Sequence, residues 1–273
     1  MSEEKSEVAQ SALESEKVAA IREEMPAVRA CVYLNAGTNG PLPRHAHDAL
    51  LAETRRELEE GRILPETYPR ISALKRETRE HMAALLGCDA NEVALTHNTT
   101  EGMNIALMGM DWRPGDEAVT SCLEHPGGLF PLYILKQRFG VKVRMTSIGA
   151  ETSDPVEELR RVLTPRTRAV VLSHVSWSTG AVLPLRELAE AAHAAGAMLI
   201  CDAAQSGGMV PSRMDELGVD AYACSGQKWL CGPDGMGALF VRRDRLGDIA
   251  QTFVNGLAFA ACDADGYFVP MKG

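Results

Sequence analysis

From residue 91 onward, short apolar segments alternate with amphipathic helical patterns, and this alternation constrains the fold more than any other feature of the sequence. Strands separated by helices favour parallel pairing, with the helices covering both faces of the sheet. The sequence therefore predicts an α/β fold, a three-layer sandwich around a mostly parallel seven-stranded sheet. The predicted strands are Glu92–Leu95, Glu117–Ser121, Val141–Thr146, Arg168–Ser173, Ala197–Cys201, Ala221–Cys224 and Gly237–Val241.

Helical patterns lie between most of these strands and also precede them. Residues 1–30 are rich in Glu, Ala and Lys, which indicates a helical arm, and Cys31–Leu34 after them is predicted to form a short strand. The remaining predicted helices cover residues 44–60, 69–86, 100–109, 126–138, 155–163 and 185–195.

Charge and composition limit the kinds of ligand and cellular location that the sequence predicts. A formal charge of −9 argues against a nucleic-acid binder but not against a small anionic ligand, which backbone N–H groups can hold. The seven cysteines are odd in number and show no CxxC spacing, so neither a disulfide framework nor a structural zinc site is indicated. The acidic N-terminus is not a targeting peptide, and no apolar run is long enough to span a bilayer. These features predict a cytoplasmic protein without a metal.

Polar residues follow five of the predicted strands. Ligands of parallel α/β sheets bind at the carboxyl ends of the strands, so chemistry is expected where these residues lie. They are Thr96–Glu101, Glu124 with His125, His174 with Ser176 and Trp177, Asp202 with Gln205, and Ser225–Lys228.

Lys228 and Asp202 are the two candidate charged groups of this edge. Desolvation lowers the pKa of a lysine and frees its amine for imine chemistry, although a solvated loop lysine is the simpler interpretation of Lys228. Asp202 ends a very apolar strand and needs a cationic or N–H partner. The pyridinium nitrogen of pyridoxal 5′-phosphate (PLP) is such a partner, and capping of the next turn is the alternative.

Thr99 and Thr100 begin a helix directly after a strand, which suits an anion, although ordinary N-capping explains them as well. Ser225 and Gln227 follow a neighbouring strand and are candidate donors to the same phosphate. His125 offers a flat ring that can stack on a heterocycle, while a histidine satisfied at a strand end is the alternative.

In this order, these residues resemble the class V aminotransferase group of fold-type I PLP enzymes, from about Tyr33 to about Arg243. The resemblance implies PLP held as a Schiff base on Lys228, with Asp202 on the pyridine nitrogen and Gln205 on the phenolic oxygen. It also implies that His125 stacks over the ring. The motifs that carry it are Asn98–Asn104, Glu124–His125, Ser173–Ser176, Cys201–Gln205 and Ser225–Gly235.

The same resemblance implies a phosphate site made of Thr99, Thr100, Ser225 and Gln227, a small amino-acid substrate, and a homodimer. It implies three parts of the chain: an N-terminal helical arm over residues 1–35, a PLP-binding large domain over 36–250, and the start of a truncated C-terminal segment over 251–273. Family members normally continue into a smaller C-terminal domain on the order of a hundred residues. We therefore expect a fragment, a truncated product or a degenerate member.

Three functions remain open at this point. The first is a PLP enzyme whose chemistry on an amino acid is transamination, epimerisation or elimination. The second is an enzyme like cysteine desulfurase or selenocysteine lyase, although Trp177 stands where desulfurases usually carry Asn and Gln227 where they often carry His. The third is a non-catalytic protein that keeps the fold. A Rossmann dinucleotide protein is disfavoured because no GxGxxG follows an early strand.

Overall fold

The computed structural model describes residues 15–150, 154–254 and 259–270. Its main sheet has seven strands in the order β1-β7-β6-β5-β4-β2-β3, which confirms the predicted fold class. Each observed strand lies within one residue of its predicted bounds. The strands are β1 Val93–Thr96, β2 Glu117–Ser121, β3 Lys142–Thr146, β4 Thr167–Ser173, β5 Met198–Asp202, β6 Ala221–Ser225 and β7 Gly237–Val241.

Strand direction follows from the connections. Strands β2 to β6 are mutually parallel where they pair, whereas β7 runs antiparallel to both β6 and β1. Parallel neighbours need a crossover, but antiparallel neighbours can be joined by a short loop. Residues 226–236 form that loop, and they stay at the sheet edge where β6 ends because Ser225 pairs with Gly237. Lys228 therefore lies at the carboxyl ends of the parallel strands.

Helices cover both faces of the sheet, as expected for strands such as β2, β5 and β6 in which every residue is buried. Apolar side chains of α5 and α6 pack on one face, and those of α4, α7 and α8 pack on the other. The described helices are α1 over residues 15–24, α2 Ala27–Ala30, α3 Arg44–Glu60, α4 Thr67–Leu86, α5 Thr99–Met108, α6 Pro126–Phe139, α7 Pro155–Val162, α8 Leu185–Ala194 and α9 Met214–Leu217.

Two features differ from the predictions. Cys31–Leu34 is not a strand, because no neighbouring strand pairs with it, and Val32 and Leu34 are 84% and 90% exposed. A two-stranded hairpin, β8 Phe259–Cys262 with β9 Phe268–Pro270, was not predicted. Of the predicted arm, residues 1–14 lie outside the described part of the chain. No helix in the described ranges is long and apolar enough to cross a membrane.

Candidate active site

Asp202 is the most buried charged group at the carboxyl edge of the sheet. It ends β5, it is only 4% exposed, and its Oδ1 accepts a hydrogen bond from the Ala204 N–H at 2.9 Å. Burial raises the pKa of Asp202, and the nearby Lys228 and His125 act in the opposite direction. Its other oxygen, Oδ2, has no donor among the described residues, so this carboxylate has one oxygen left for a ligand.

The backbone beside Asp202 leaves room for that ligand. A Cβ placed on Gly128, in the first turn of α6, would lie 3.4 Å from Oδ2 of Asp202. A side chain at position 128 would therefore fill the space in front of the free oxygen. The buried acceptor and the cleared space together suit a protonated ring nitrogen.

Lys228 lies in the loop between β6 and β7, and it is half-buried. Burial lowers the pKa of its amine, and the negative charge of Asp202 partly offsets this effect. A lowered pKa increases the share of neutral amine, which is the nucleophilic form. The structure thus brings Lys228 within electrostatic reach of Asp202.

An N-terminal turn fastens the loop that carries Lys228, and sequence reasoning missed this contact. The Gly40 N–H donates to the Gln227 carbonyl at 2.7 Å. A Cβ on Gly40 would lie 2.1 Å from the Lys228 carbonyl oxygen, so only glycine allows the two backbones to approach so closely. The turn-dense segment after Leu34 was the only sequence signal.

Gln205 is held by the same contact region. Its Nε2 donates to the Gly37 carbonyl at 2.9 Å, and its Oε1 accepts from Trp229 Nε1 at 2.8 Å. One N–H of the amide remains for a ligand. The predicted hydrogen bond from Gln205 to the phenolic oxygen of PLP stays a prediction.

The start of α5 has the character of an anion site. Asn98 caps the helix, and the buried Thr99 is held by Ser225, whose Oγ lies 3.0 Å from Thr99 N and 2.8 Å from Thr99 Oγ1. Thr100 is exposed, and its N–H has no acceptor among the described residues. Thus Thr99 and Ser225 are bonded to each other, whereas Thr100 presents free donors.

Two further residues bear on this predicted phosphate site. A Cβ on Gly127 would lie 2.5 Å from Thr100 Oγ1, so the glycine keeps that hydroxyl uncovered. Gln227 is half-buried, and its Oε1 has no hydrogen-bond partner among the described residues, which leaves an amide group available beside Lys228. Since an anion accepts hydrogen bonds only, Gln227 would turn its NH₂ group toward it.

His125 caps α6 with its side chain, because its Nδ1 accepts from the Gly127 N–H at 3.0 Å. Trp177, which is 52% exposed, meets this imidazole edge-on, with ring centroids 5.4 Å apart and planes at 89°. The indole N–H of Trp177 donates to the Leu123 carbonyl at 3.0 Å. Trp177 therefore packs against His125 with the two ring planes nearly perpendicular.

The buried carboxyl of Glu124 was not assigned a role from the sequence. It accepts hydrogen bonds from Ser173 N at 2.9 Å and from Ser173 Oγ at 2.5 Å. His174, which follows Ser173 in the chain, is buried against Tyr222, with Nδ1 3.0 Å from the phenol oxygen, and burial lowers the pKa of His174 to about 4. Only knowledge of the strand register reveals that Glu124 reaches Ser173.

Comparisons with known proteins identify relatives of this chain. The family model described as aminotransferase class V matches residues 32–269. A probable cysteine desulfurase of Methanothermobacter thermautotrophicus is 30% identical over 250 residues, which are 90% of this chain and 62% of that protein. The isopenicillin N epimerase of Streptomyces clavuligerus is 32% identical over 228 residues, or 82% of this chain and 56% of the epimerase.

Solved structures of similar proteins share the fold. The cystine C-S lyase C-DES in complex with its product cysteine persulfide has a TM-score of 0.84 at 33% identity, covering 91% of this chain and 67% of the lyase. A mutant of C-DES with glycine covalently linked to the PLP cofactor matches with the same TM-score of 0.84 and covers 66% of that chain. The present chain thus spans 49% to 62% of the length of the first curated relatives that it matches.

Proposed function

This chain belongs to the class V aminotransferase family, and we propose that it is a PLP-dependent enzyme that acts on an amino acid through Lys228. The observation that carries the proposal is the pairing of a buried Asp202, with one free oxygen, and a half-buried Lys228 whose pKa is lowered. C-DES, which shares the fold, has PLP as its cofactor, and that supports the choice of ligand.

Each residue of the site has a role in this proposal. Lys228 would hold the cofactor covalently and then move a proton at the substrate Cα. Asp202 would accept a hydrogen bond from the ring nitrogen, and PLP when bound supplies an electron sink for the pair of electrons left at Cα. His125 would cover one face of the ring, and Gln205 would donate to the phenolic oxygen.

The phosphate would lie at the start of α5. There the free N–H and hydroxyl of Thr100 would bind it together with Gln227, while Thr99 and Ser225 fix the helix start. This fit rests on donors that have no acceptor in the described chain, and the phosphate would supply one. Residues 36–250 would form the PLP-binding large domain, with residues 1–35 as an arm and 251–273 as the beginning of a further segment.

The reaction has two candidate outcomes. Transamination or epimerisation is favoured by Trp177, which stands where desulfurases usually carry Asn and lies against His125. Release of sulfur from cysteine or cystine is favoured by the relatives, which include a probable cysteine desulfurase and a cystine C-S lyase. Both outcomes begin by breaking a bond at Cα, so the residues described above serve either one.

A panel of amino acids separates these outcomes. The full chain loaded with PLP is mixed in turn with L-cysteine, L-cystine and L- and D-forms of other amino acids, and the visible absorbance of the cofactor is followed. We expect at least one amino acid to change the spectrum. Sulfide release then indicates sulfur chemistry, and chiral chromatography detects epimerisation.

The panel can also contradict the proposal. A folded, PLP-loaded protein that stays spectrally silent with every amino acid would be a non-catalytic member of the family. Failure to bind PLP at all would remove the cofactor from the proposal.

We also infer a homodimer. Helix α3 buries none of its residues, and Leu58 on it is 85% exposed. On α6, Phe130, Tyr133 and Ile134 form a second exposed apolar face at i, i+3 and i+4 spacing. Exposed apolar patches of this kind mark association surfaces. We expect sedimentation equilibrium to give twice the 29.5 kDa mass of one chain, and a monomer at micromolar concentration would contradict the inference.

A further inference from the structure

The two ends of β2 carry buried glutamates in opposite environments. At the first end, Glu117 is fully buried and pairs with Arg144 at 2.6 Å and Arg166 at 3.0 Å, which holds its pKa at about 2. Just beyond the other end, Glu124 is 6% exposed, and among the described residues only Ser173 donates hydrogen bonds to it. In the described chain no Lys, Arg or His forms an ion pair with Glu124.

Glu124 shares its surroundings with Asp202. Ser173, which bonds to Glu124, is the register partner of Asp202 on the adjacent strand. The ionisable groups that face Glu124 are therefore Asp202 and the buried thiol of Cys201, both from β5, and His125 follows it at the start of α6. Two carboxyl groups are thus buried side by side at the edge of one sheet.

Only one of these two carboxyl groups has a lysine near it in the described chain. Asp202 lies within electrostatic reach of Lys228, whereas Glu124 is hydrogen-bonded to the backbone N–H and the hydroxyl of Ser173. Ionising two neighbouring buried carboxyl groups at once costs a large amount of free energy, so one of them keeps a proton. The proton stays on the group that nearby positive charges stabilise less. Burial is the main cause that raises the pKa of Glu124 to about 7. The repulsion from Asp202 adds a smaller effect in the same direction, and the two hydrogen bonds from Ser173 act against both.

We propose that Glu124 is a positioning residue that carries the proton of this carboxyl pair, so that Asp202 keeps the negative charge it needs toward a ring nitrogen. The protonated carboxyl can donate to Ser173 Oγ while its other oxygen still accepts from Ser173 N, so the strand contact survives in both states. The identity of the ring rests on the proposed function, whereas the sharing of the proton concerns only residues of this chain.

The proton on Glu124 is measured directly by carbon NMR of the full chain with ¹³C-labelled glutamate carboxyls, with and without PLP. The Glu124 signal is assigned by its loss in Glu124→Gln. We expect it to titrate with a midpoint above pH 6, while Glu117 in the same spectrum stays ionised throughout the range from pH 4 to pH 9. A Glu124 midpoint below pH 6 overturns the proposal.

The coupling to Asp202 is tested with Asp202→Asn, which removes the repelling charge and keeps the shape. We expect the Glu124 midpoint to fall in this variant but to stay above that of an exposed glutamate, because the burial of Glu124 remains, and an unchanged midpoint overturns the coupling. Asp215→Asn, an exposed carboxyl remote from the pair, is the matched control and should leave the midpoint where it is.

The positioning role is read from the pH dependence of the visible absorbance of bound PLP. We expect wild type to show a spectral step near the Glu124 midpoint, and Glu124→Gln, a permanently neutral mimic, to lose that step. Glu117→Gln should keep it even where thermal unfolding shows a less stable fold. An identical step in wild type and Glu124→Gln overturns the role. If wild type binds no PLP, the proposed function fails. The carbon NMR titration still shows whether Glu124 carries the proton of the carboxyl pair.

Discussion

Replacing Lys228 by alanine is expected to abolish covalent attachment of PLP and to lower turnover by about 10²–10⁴-fold, which is the contribution typical of one positioned acid–base group. The amine is half-buried and its pKa is lowered by that burial, so it is the lysine best prepared to attack a carbonyl at the sheet edge. Removing it takes away both the covalent link and the proton carrier at the substrate Cα.

The measurement is borohydride reduction of the PLP-loaded protein, followed by peptide mass spectrometry. Wild type should carry the label on the peptide that contains Lys228, and Lys228→Ala should carry none. Lys228→Arg tests whether the positive charge alone is sufficient, because arginine keeps a cation near Asp202 but cannot form the covalent link to PLP. Lys136→Ala, an exposed lysine on α6, should be labelled like wild type. A label of equal yield in Lys228→Ala would contradict the assignment.

The fold could be predicted from the sequence because its strands are short, apolar and bounded by turns. β2 and β7 have the predicted bounds, and β5 is displaced from its prediction by a single residue at each end. The error at Cys31–Leu34 has a clear cause: an apolar run of strand-forming residues becomes a strand only where a neighbour supplies hydrogen bonds. The local sequence pattern indicates the propensity of a segment to form a strand, but not whether a neighbouring strand is present to pair with it.

The site could be predicted only in part, for a related reason. Asp202, His125 and Lys228 follow strands that end at one edge, so topology alone brings them together. The contact of Gly40 with the Lys228 loop joins segments almost 190 residues apart and has no periodic signal. The bond between Glu124 and Ser173 likewise depends on how β2 and β4 align, which a single sequence does not specify.

Conversion of Asp202 to asparagine is expected to leave PLP attached to Lys228 but to slow the reaction with amino acids by about 10²–10³-fold, the effect typical of losing one preorganised electrostatic partner. Asparagine can still accept the hydrogen bond from the Ala204 N–H, so the turn after β5 should persist. What disappears is the buried negative charge that favours a proton on the ring nitrogen. Stopped-flow absorbance with a reactive amino acid measures the rate, and borohydride labelling confirms that the link to Lys228 is intact.

A second buried aspartate provides the control, because it distinguishes the loss of a structural charge from the loss of a charge that faces the ligand. Asp220 is fully buried but pairs with His193, Arg242 and Arg245, away from the carboxyl ends of the strands. Asp220→Asn should therefore lower the melting temperature without changing the rate of the folded enzyme, because its charge stabilises neighbours and not a ligand. Equal rates in wild type and Asp202→Asn would show that Asp202 is a structural carboxylate of the same kind as Asp220. A slow reaction in Asp202→Asn alone would show that the charge that favours a protonated ring nitrogen lies at the end of β5.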